Sequence, residues 1–424
     1  MTKLTTILLI AASGSVAHAN GFLLNEFDAK AVGRGDATAA TDTDASSIYY
    51  NVGGLAAGEG TQVQVGGSLI SPIASFTDTA GAKVDSTTGS QFIPGIFGST
   101  HVTDMIAVGL GFYTPFGLAV QWPSTAAPAA SASYIKLATY FITPSVGLNL
   151  GSFVPGLTVG GGFDIVPATI ELKQTVFFGS DPPGTAHLGG TATGLGGRLG
   201  IMYRPQSMPR LSVGAMWRST VHETFSGNGD FESSPEYRSM LPGNGDVSTS
   251  SEPLPQTVTG AVAYRPIDAL ELEGDVVWTN WSQFKTLTIT VPTPDNMGTM
   301  PINQPESYNN TFSARIGGEY DLNWLGAAVR AGFIYDPTPV PSTTLSPQLP
   351  DIDRYDVTVG ASKSLGQYTA ALGLLWVLPN NNKTCGPTPS SPTNCLYTPD
   401  IKGTYDVQAF VATVTITGKF GSVH

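Results

Sequence analysis

The chain of 424 residues has few charged side chains, and beyond its N-terminus it has no long apolar run. Charged residues make up 12% of it, against roughly 25% in a usual soluble domain. A helical membrane protein needs apolar stretches of about 20 residues, and the mean hydropathy is only +0.06. Acidic residues outnumber basic ones by 32 to 20, whereas a nucleic-acid partner requires a basic face. The composition therefore disfavours an ordinary soluble domain, a helical membrane protein and a nucleic-acid-binding protein.

Histidine is also scarce, and this bears on catalysis. None of the histidines beyond residue 19 lies on a predicted strand face beside an obvious serine, as a hydrolase would need. The chain has neither a Gly-x-Ser-x-Gly nor a His-Glu-x-x-His pattern. We therefore predict no enzymatic activity, no metal site and no cofactor. The histidines concerned are His101, His187, His222 and His424.

What the chain does have is a series of strand-like runs from about residue 60 onward, joined by connectors that alternate between long and brief. This alternation is typical of outer-membrane β-barrels, in which short turns lie at one end of the strands and long loops at the other. We therefore predict an all-β fold, a transmembrane antiparallel β-barrel of fourteen strands. The brief connectors lie near His101–Asp104, Gly151–Pro155, Arg204–Pro209, Arg265–Ala269, Asp321–Trp324 and Ser364–Gln367. The long ones lie near Thr77–Gln91, Thr114–Ser133, Leu172–Gly190, His222–Pro253, Val291–Ser307, Pro337–Asp353 and Pro379–Gly403.

Apolar and polar side chains alternate within these runs, which is the period expected of a strand. An arginine on the lipid face at mid-depth would cost about 2–4 kcal/mol, so we expect the charges to face the lumen. They form either a salt-bridged network or a path for a polar or anionic solute. The inward charges are Arg198, Arg204, Arg218, Arg315, Arg330, Glu271, Glu273, Asp275 and Glu319. Aromatic girdles at the membrane interfaces are expected from Trp217, Trp278, Trp281, Tyr335 and Trp376.

Residues 1–19 have the pattern of a secretory signal peptide. Lys3 precedes the apolar Leu4–Ala12, and Ala17–Ala19 forms a small-x-small cleavage site. An N-terminal anchor is the alternative, although the apolar part is too short to span a bilayer. Export would let the two cysteines, Cys385 and Cys395, form a disulfide in an oxidising periplasm. In the entropic model, such a loop stabilises the fold by roughly 2–3 kcal/mol.

The stretch from Asn20 to about Gly58 lacks the alternation of a strand and is rich in Ala, Thr, Asp and Gly. It can lie free in the periplasm or fold into the lumen as a plug. Its apolar side chains need burial, which favours the plug. We therefore predict a hatch over residues 20–58 and a barrel over residues 59–424. The apolar side chains are Phe22, Leu23, Leu24 and Phe27.

Several short motifs follow one another along the chain. They are Asn20–Phe27, Gly33–Gly35, Asp42–Asn51 with Gly54–Ala56, Tyr113–Leu118 with Trp122–Pro123, Ile142–Val146, Trp217–Ser219, Trp278–Ser282, and Tyr335–Pro339 with Leu349–Arg354. In this order they resemble the FadL/TodX family of outer-membrane transporters of long-chain fatty acids and aromatic hydrocarbons. The resemblance covers nearly all of the chain beyond the leader, and it rests on the order of the motifs because no single one is decisive.

The resemblance implies passive transport of hydrophobic small molecules through a hatch-plugged barrel. Substrate would be captured among the extracellular loops, pass to a lumenal site beside the N-terminal segment, and leave sideways at a kink in the third strand. A fatty-acid carboxylate needs a cationic partner, which a lumenal arginine can supply, unless Glu271, Glu273 or Asp275 already occupies it. An aromatic or alkane needs none. The predicted substrate-binding residues are Asn20, Phe22, Leu24, Phe27, Arg198, Arg218, Arg315 and Arg330.

Gating is predicted at two places. Asn51-Val52-Gly53 stands where the family usually has Asn-Pro-Ala, so this hatch turn loses a rigid φ and gains freedom. The kinked strand would be Met105–Tyr113, whose Gly109 and Gly111 indicate either a bend or close packing against the hatch. The predicted gating residues are Asn51, Val52, Gly53, Gly109, Gly111, Pro115 and Gly117.

The resemblance also implies a place in the bacterial outer membrane. The partners would be its lipid and lipopolysaccharide, the barrel assembly machinery and a hydrophobic substrate, and we expect a monomer. A general porin for polar solutes is the main alternative, favoured by the charged lumen and opposed by the hatch. A non-transport surface protein is suggested only by the long loops. Apolar side chains in Leu172–Gly190 and His222–Pro253 form either a capture groove or contacts between loops.

Overall fold

The computed structural model describes residues 21–379, 383–385 and 402–421. The predicted leader, Asn20 and the pairing of Cys385 with Cys395 fall outside what it describes, so these remain predictions. Strands dominate the described residues, and none of their helices is both long and apolar enough to cross a membrane.

The strands, numbered in chain order, are β1 Thr61–Asp78, β2 Lys83–Asp85, β3 Gln91–His101, β4 Ile106–Tyr113, β5 Gly117–Gln121, β6 Tyr134–Thr139, β7 Phe141–Asn149, β8 Leu157–Phe178, β9 Asp181–Tyr203, β10 Leu211–Arg218, β11 Val221–Glu223, β12 Ser226–Glu232, β13 Gly245–Thr249, β14 Glu252–Leu254, β15 Thr257–Ile267, β16 Leu270–Thr279, β17 Thr286–Pro292, β18 Thr299–Pro305, β19 Thr311–Leu322, β20 Ala327–Asp336, β21 Arg354–Leu365, β22 Tyr368–Pro379, β23 Lys383–Cys385 and β24 Gly403–Phe420. The helices are α1 Ala29–Gly33 and α2 Ser47–Tyr50, and there are 3-10 turns at Val52–Ala57, Ala127–Ala130, Arg238–Met240, Trp281–Gln283 and Asn323–Leu325.

Fourteen of these strands form the barrel wall, each antiparallel to the next. The wall closes where β1 pairs with β24 from Thr61↔Phe420 to Asp78↔Gly403. The fourteen-stranded antiparallel barrel predicted from the sequence is therefore confirmed. In order, the wall strands are β1, β3, β4, β7, β8, β9, β10, β15, β16, β19, β20, β21, β22 and β24.

Side chains alternate along the wall as the period-two pattern predicts. On β9, the outward Leu195 and Leu199 are 58% and 60% exposed, whereas Arg198 between them is 1% exposed. Glu273 and Asp275 on β16 are likewise buried. The prediction that the charges face inward is confirmed for these residues, since the outer face would strip them of water without supplying a partner.

The brief connectors are tight turns, and glycine at positive φ occurs in several of them. Gly326 and Gly366 have φ angles of +58° and +65°, a conformation that side chains other than glycine rarely adopt. The predicted long connector Leu172–Gly190 is wrong, because β8 and β9 continue their ladder to Phe178↔Asp181. The hairpin therefore extends beyond the rest of the wall, and the glycines and prolines near its tip had suggested a loop.

Residues 21–58 lie inside the barrel, where they form α1, α2 and the turn Val52–Ala57. The side chain of Asp28 caps α1 by accepting a hydrogen bond from the backbone N–H of Lys30 (3.1 Å). The hatch backbone contacts the wall directly at inward-facing glycines. A Cβ atom there would lie 1.9 Å from the Arg34 carbonyl oxygen at Gly317, and 2.1 Å from the Ala39 carbonyl oxygen at Gly214. Much of the glycine in the wall therefore makes room for the hatch.

Candidate functional site

We call the half of the lumen nearer the brief connectors the lower half, and the half nearer the long connectors the upper half. The hatch fills the lower half, and charged contacts hold it to the wall. Arg34 of the hatch bridges two wall carboxylates, Glu271 at 3.0 Å and Glu273 at 3.3 Å. Glu273 also accepts the backbone N–H of Ala40 (2.6 Å). The sequence offered these carboxylates as partners for the lumenal arginines of the wall. That pairing is wrong for Glu271 and Glu273, because their cationic contacts are Arg34 and, for Glu271, also Arg265.

Two of the predicted substrate-binding arginines are held in ion pairs with wall carboxylates. Arg198 contacts Asp164 at 2.7 Å and donates a second hydrogen bond to the Ile48 carbonyl oxygen of the hatch at 2.7 Å. Arg330 contacts Glu319 at 2.5 Å. Both guanidinium groups are buried in existing contacts. Arg198 thereby joins the hatch to the wall, and Arg330 joins neighbouring wall strands through Glu319 and Ser362.

The other two predicted arginines have no carboxylate within 4 Å among the residues described. The Arg218 guanidinium lies 4.5 Å above the Tyr49 ring and donates to the Thr257 hydroxyl (3.1 Å). Arg315 donates to the Asp36 carbonyl oxygen (3.4 Å). Both line a polar void of about 10 Å³ beside the hatch, which is about the space of one water molecule. Their role in binding a substrate carboxylate stays a prediction, and the structure places them below the apolar cavities.

The predicted hatch turn is wedged against β8 and β9. The Asn51 side chain donates to the carbonyl oxygens of Ala39 (2.6 Å) and Ile201 (2.9 Å) and accepts the Gly53 N–H (3.0 Å). A Cβ atom on Gly53 would lie 2.9 Å from the backbone of Ile201. Val52 is fully buried. Glycine therefore suits this close approach, and the gating role of the turn stays a prediction.

Gly109 and Gly111 do not mark a bend within β4, which pairs without a register shift from Ala107 to Tyr113 with β3 on one side and β7 on the other. Added Cβ atoms would lie 2.8 Å and 3.1 Å from the side chain of Ile48 in the hatch. Of the two alternatives left open by the sequence, the structure supports close packing.

The wall breaks immediately after β4. The chain passes through residues 114–116 into β5, which pairs with β6 and not with β3. Below the break the wall closes at Gly95↔Tyr113, and above it the Thr87 N–H donates to the Gln121 carbonyl oxygen (2.7 Å). Between these closures, in the described part of the chain, Gln91–Pro94 of β3 pairs with β1 only. We call this break the lateral gap.

Residues 21–27 of the hatch, which we call the N-terminal segment, lie along the lateral gap. The Leu24 N–H donates to the Pro115 carbonyl oxygen (2.8 Å), and the Gly117 N–H donates to the Phe22 carbonyl oxygen (3.0 Å). A Cβ atom on Gly117 would lie 2.9 Å from the Leu24 side chain, so glycine makes room for it. Three predicted residues, Pro115, Gly117 and Leu24, are thus brought together at the gap.

The two predicted phenylalanines of the N-terminal segment lie in different surroundings. The Phe22 ring packs edge-on against Trp281, 4.8 Å between centroids. Phe27 lies lower, with its ring 4.6 Å from that of Tyr49 and 5.5 Å from that of Tyr113. Phe22 therefore lines the upper lumen, whereas Phe27 belongs to the core of the hatch.

Three apolar cavities follow one another above the hatch. The outer cavity, of about 50 Å³, lies among the loops between Leu188, Phe225 and Ile289. The inner cavity, of about 90 Å³, is lined by Phe22, Phe284 and Leu254 among others. The lateral cavity, of about 220 Å³, opens at the lateral gap beside Leu24, Phe92 and Leu118. The outer and inner cavities share Ile135, Ile170, Phe225, Thr249, Leu287 and Gln348, and the inner and lateral cavities share Leu118 and Leu137.

Sequence reasoning missed most of these lining residues and misplaced one. Trp281 was expected in an interfacial girdle, but it is fully buried in the lumen against Phe22 and Tyr308. It follows the end of β16 in a 3-10 turn, where the alternation of the strand no longer applies. Of the apolar loop residues, Phe225 lines the outer and inner cavities, whereas Phe231 packs the loops together. Contacts between loops are therefore present at Phe231, whereas a capture groove around Phe225 stays a prediction.

With this geometry in view, the chain can be compared with known proteins. A family model described as outer membrane protein transport protein (OMPP1/FadL/TodX) matches residues 10–420. This chain belongs to that family. Membership in this family of transport proteins, together with the barrel, places the protein in the outer membrane, as the sequence predicted.

Relatives align along most of their length. A protein of Neisseria meningitidis serogroup B is 25% identical over 415 residues, which cover 85% of this chain and 87% of the relative. The long-chain fatty acid transport protein of Salmonella typhi is 23% identical over 403 residues, covering 85% and 88%.

Solved structures share the fold. A Pseudomonas aeruginosa FadL homologue superimposes with a TM-score of 0.81 at 17% identity, covering 95% of this chain and all of the other. The Pseudomonas putida toluene transporter TodX gives a TM-score of 0.76 at 17% identity, covering 94% and 99%.

Proposed function

We propose that this protein moves hydrophobic small molecules passively from the extracellular loops, through the outer and inner cavities, to the lateral cavity and out through the lateral gap. The observation that carries this proposal is the shared lining of the three cavities. Six residues join the outer cavity to the inner one, and Leu118 with Leu137 joins the inner cavity to the lateral one. The last cavity opens where β3 has no partner on one side, so a solute can leave sideways.

The small cavities suit a transporter because they limit how tightly a solute is held. Burial is worth about 0.8 kcal/mol per CH₂, so a chain of about sixteen carbons would gain at most roughly 13 kcal/mol if enclosed completely. Such a solute would leave slowly. Each cavity here is smaller than the roughly 300–1,000 Å³ of a typical ligand pocket, which favours partial burial at successive positions. Phe22 and Leu24 flank the passage between the inner and lateral cavities, so movement of the N-terminal segment controls release.

The substrates proposed are long-chain fatty acids or related hydrocarbons. Two observations on relatives support this class, since one is a long-chain fatty acid transport protein and another is a toluene transporter. We further propose a monomer, exported by cleavage after Ala19, inserted by the barrel assembly machinery and surrounded by lipid and lipopolysaccharide. We also propose that Cys385 and Cys395 form a disulfide and that the hatch turn gates the lumen.

Blocking the lateral cavity tests the route. Ala119 lines that cavity, so Ala119→Trp is expected to reduce uptake of a labelled long-chain fatty acid and of labelled toluene by cells limited by outer-membrane permeability. Ala215→Trp is the matched control, because Ala215 is exposed on the outer face of β10. Both variants should assemble normally, as judged by the heat-dependent gel mobility of the barrel. Equal uptake by the two assembled variants would contradict a lateral exit.

A further inference from the structure

The inner cavity carries a pair of facing carboxyl groups that the transport of apolar molecules does not explain. Glu223 on β11 and Glu252 on β14 are directly opposite each other in a two-stranded sheet that is separate from the wall. Both line the inner cavity, as does a third acid, Glu306. Residues directly opposite in an antiparallel ladder have Cβ atoms about 4.5–5.5 Å apart, and like charges there are destabilising.

Glu223 is fully buried, and neither of its carboxyl oxygens accepts a hydrogen bond of ordinary geometry from the described residues. The backbone N–H of Gly194 approaches the carboxyl group and lowers its pKa, against the larger raising effect of burial. Glu252, also buried, accepts a hydrogen bond from the Ser250 hydroxyl (2.5 Å). A buried polar group without a partner costs free energy, so a molecule that brings a donor into this cavity would be stabilised by Glu223.

No cation of the described residues lines the inner cavity. The contributions from β5, β6 and β8 are aliphatic, and the remaining titratable groups in the lining are Glu306 and Tyr308. Arg218, three residues before β11, is engaged with Tyr49 and Thr257. His222 is exposed and contacts Ser251. Lys136 lines the lateral cavity only. As far as the described residues line it, the cavity is therefore apolar and acidic, and none of these residues would neutralise an anion.

Burial has a consequence for the charge of the pair. It raises the pKa of Glu223 to about 7 and the pKa of Glu252 to about 7, because a charged carboxyl loses hydration there. A raised pKa in the folded state means that the ionised pair opposes folding of this sheet, and this opposition grows as the pH rises from the ordinary glutamate pKa through about 7. Near neutral pH the pair can therefore retain a proton, and above it both groups become anionic.

We propose that the inner cavity selects hydrophobic molecules whose polar end is an uncharged hydrogen-bond donor, such as long-chain alcohols or alkylphenols, and rejects carboxylate anions. This inference rests on the proposed function, because the cavity concerned is the middle of the proposed route. A hydroxyl group would donate to Glu223, whereas a carboxylate would meet the carboxyl groups of Glu223 and Glu252, with no cation in the described lining. A fatty acid would then pass in its protonated form.

The test compares ligands of one chain length at the purified full-length protein in lipid nanodiscs. The dissociation constants of dodecanol and dodecanoate are measured at pH 8.5 by displacement of a fluorescent apolar probe. Because the two ligands differ in hydrophobicity, the readout is the ratio of their constants in the wild type and in the Glu223→Gln/Glu252→Gln variant. Removing both charges should improve the relative binding of dodecanoate by at least about tenfold, the equivalent of one pKa unit.

Two further measurements complete the design. In the wild type, lowering the pH from 8.5 to 5.5 should bring the dissociation constants of dodecanol and dodecanoate closer together. In the double variant, the ratio of the two constants should change less with pH. Glu236→Gln, an exposed loop carboxyl outside the cavity, should leave the ratio at its wild-type value. The two single glutamine variants, checked for assembly by gel mobility, serve if the double variant does not fold.

The other outcomes overturn the inference in distinguishable ways. An unchanged ratio in the folded glutamine variants would show that the carboxyl pair does not discriminate, while the proposed route would stand. Tighter binding of dodecylammonium than of dodecanol would make the cavity a cation site instead of a site for neutral donors. If none of the three ligands displaced the probe, the proposed function would fail together with this inference.

Discussion

The two halves of the lumen differ in the chemistry of their contacts: those of the lower half are largely polar, and those of the upper half are largely apolar. Below, the hatch is fixed to the wall by buried ion pairs such as that of Arg34 with Glu273, and by backbone contacts at wall glycines. Above, the lining is largely aliphatic and aromatic and leaves three adjacent cavities that share lining residues. The contrast shows how the barrel can block the straight path along its axis and still offer a path to its side. Close polar packing closes the lower half, and incomplete apolar packing opens the upper half.

The largest expected effect comes from breaking the ion pairs of the lower half. Arg34→Ala leaves Glu271 and Glu273 without their hatch cation. Removing one partner of a buried pair costs about 3–5 kcal/mol. We expect a clearly lower midpoint of thermal unfolding. The midpoint is measured from the heat-dependent gel mobility of the barrel.

Arg210→Ala is the control for this change. It removes an arginine whose ion pair with Asp268 is largely exposed, and such pairs contribute little. If the two variants unfolded at the same temperature, the ion pairs would not be what holds the hatch.

A smaller effect is expected from filling the space between the hatch and the wall. Gly317→Ala would place a Cβ atom 1.9 Å from the Arg34 carbonyl oxygen. Because both sides are backbone, the hatch must shift, and overpacking of this kind typically costs about 1–3 kcal/mol. Gly260→Ala, where no atom lies within 4 Å of the added Cβ, should be neutral. Equal unfolding midpoints for the two alanine variants would contradict direct contact between hatch and wall.

The smallest effect on stability, with a large effect on transport, is expected in the upper half. Phe22→Glu places a charge in the inner cavity beside Trp281. The barrel ladder does not depend on this side chain, so the unfolding midpoint should change little while uptake of the labelled fatty acid falls. Phe177→Glu introduces the same charge at an exposed position of the β8–β9 hairpin and should retain uptake. Unchanged uptake in Phe22→Glu would show that the N-terminal segment does not take part in transport.

Much of the lower half could be predicted from the sequence, because its signals are local. The alternation of long and brief connectors predicted the fourteen strands. Alternation along each strand, which is a property of neighbouring residues, predicted the inward direction of Glu273 and Asp275. The partner of Glu273 could not be predicted in this way. Arg34 is more than two hundred residues away in the chain, and only the docked hatch brings the two together.

The upper half was harder to predict from the sequence, because its geometry depends on how the loops fold over one another. In the lower half, too, glycine in a strand has several possible meanings, so the contact of Gly317 with the hatch was not apparent from the sequence. Trp281 was assigned by analogy with interfacial tryptophans, whereas its position after β16 turns it into the lumen. Glu223 and Glu252 read as ordinary loop acids, and only the pairing of β11 with β14 places them opposite each other.

If solute bypasses the hatch and leaves through the lateral gap, photo-crosslinking can trace its path. The experiment uses a long-chain alcohol with a diazirine at its end, the wild-type protein in outer-membrane vesicles, and mass spectrometry of the adducts. We expect adducts on lining residues of the inner and lateral cavities, such as Leu118, Leu24 and Phe92, with none around the polar void at Asp36 and Thr259. Adducts concentrated around that void, with the lateral cavity unlabelled, would contradict it.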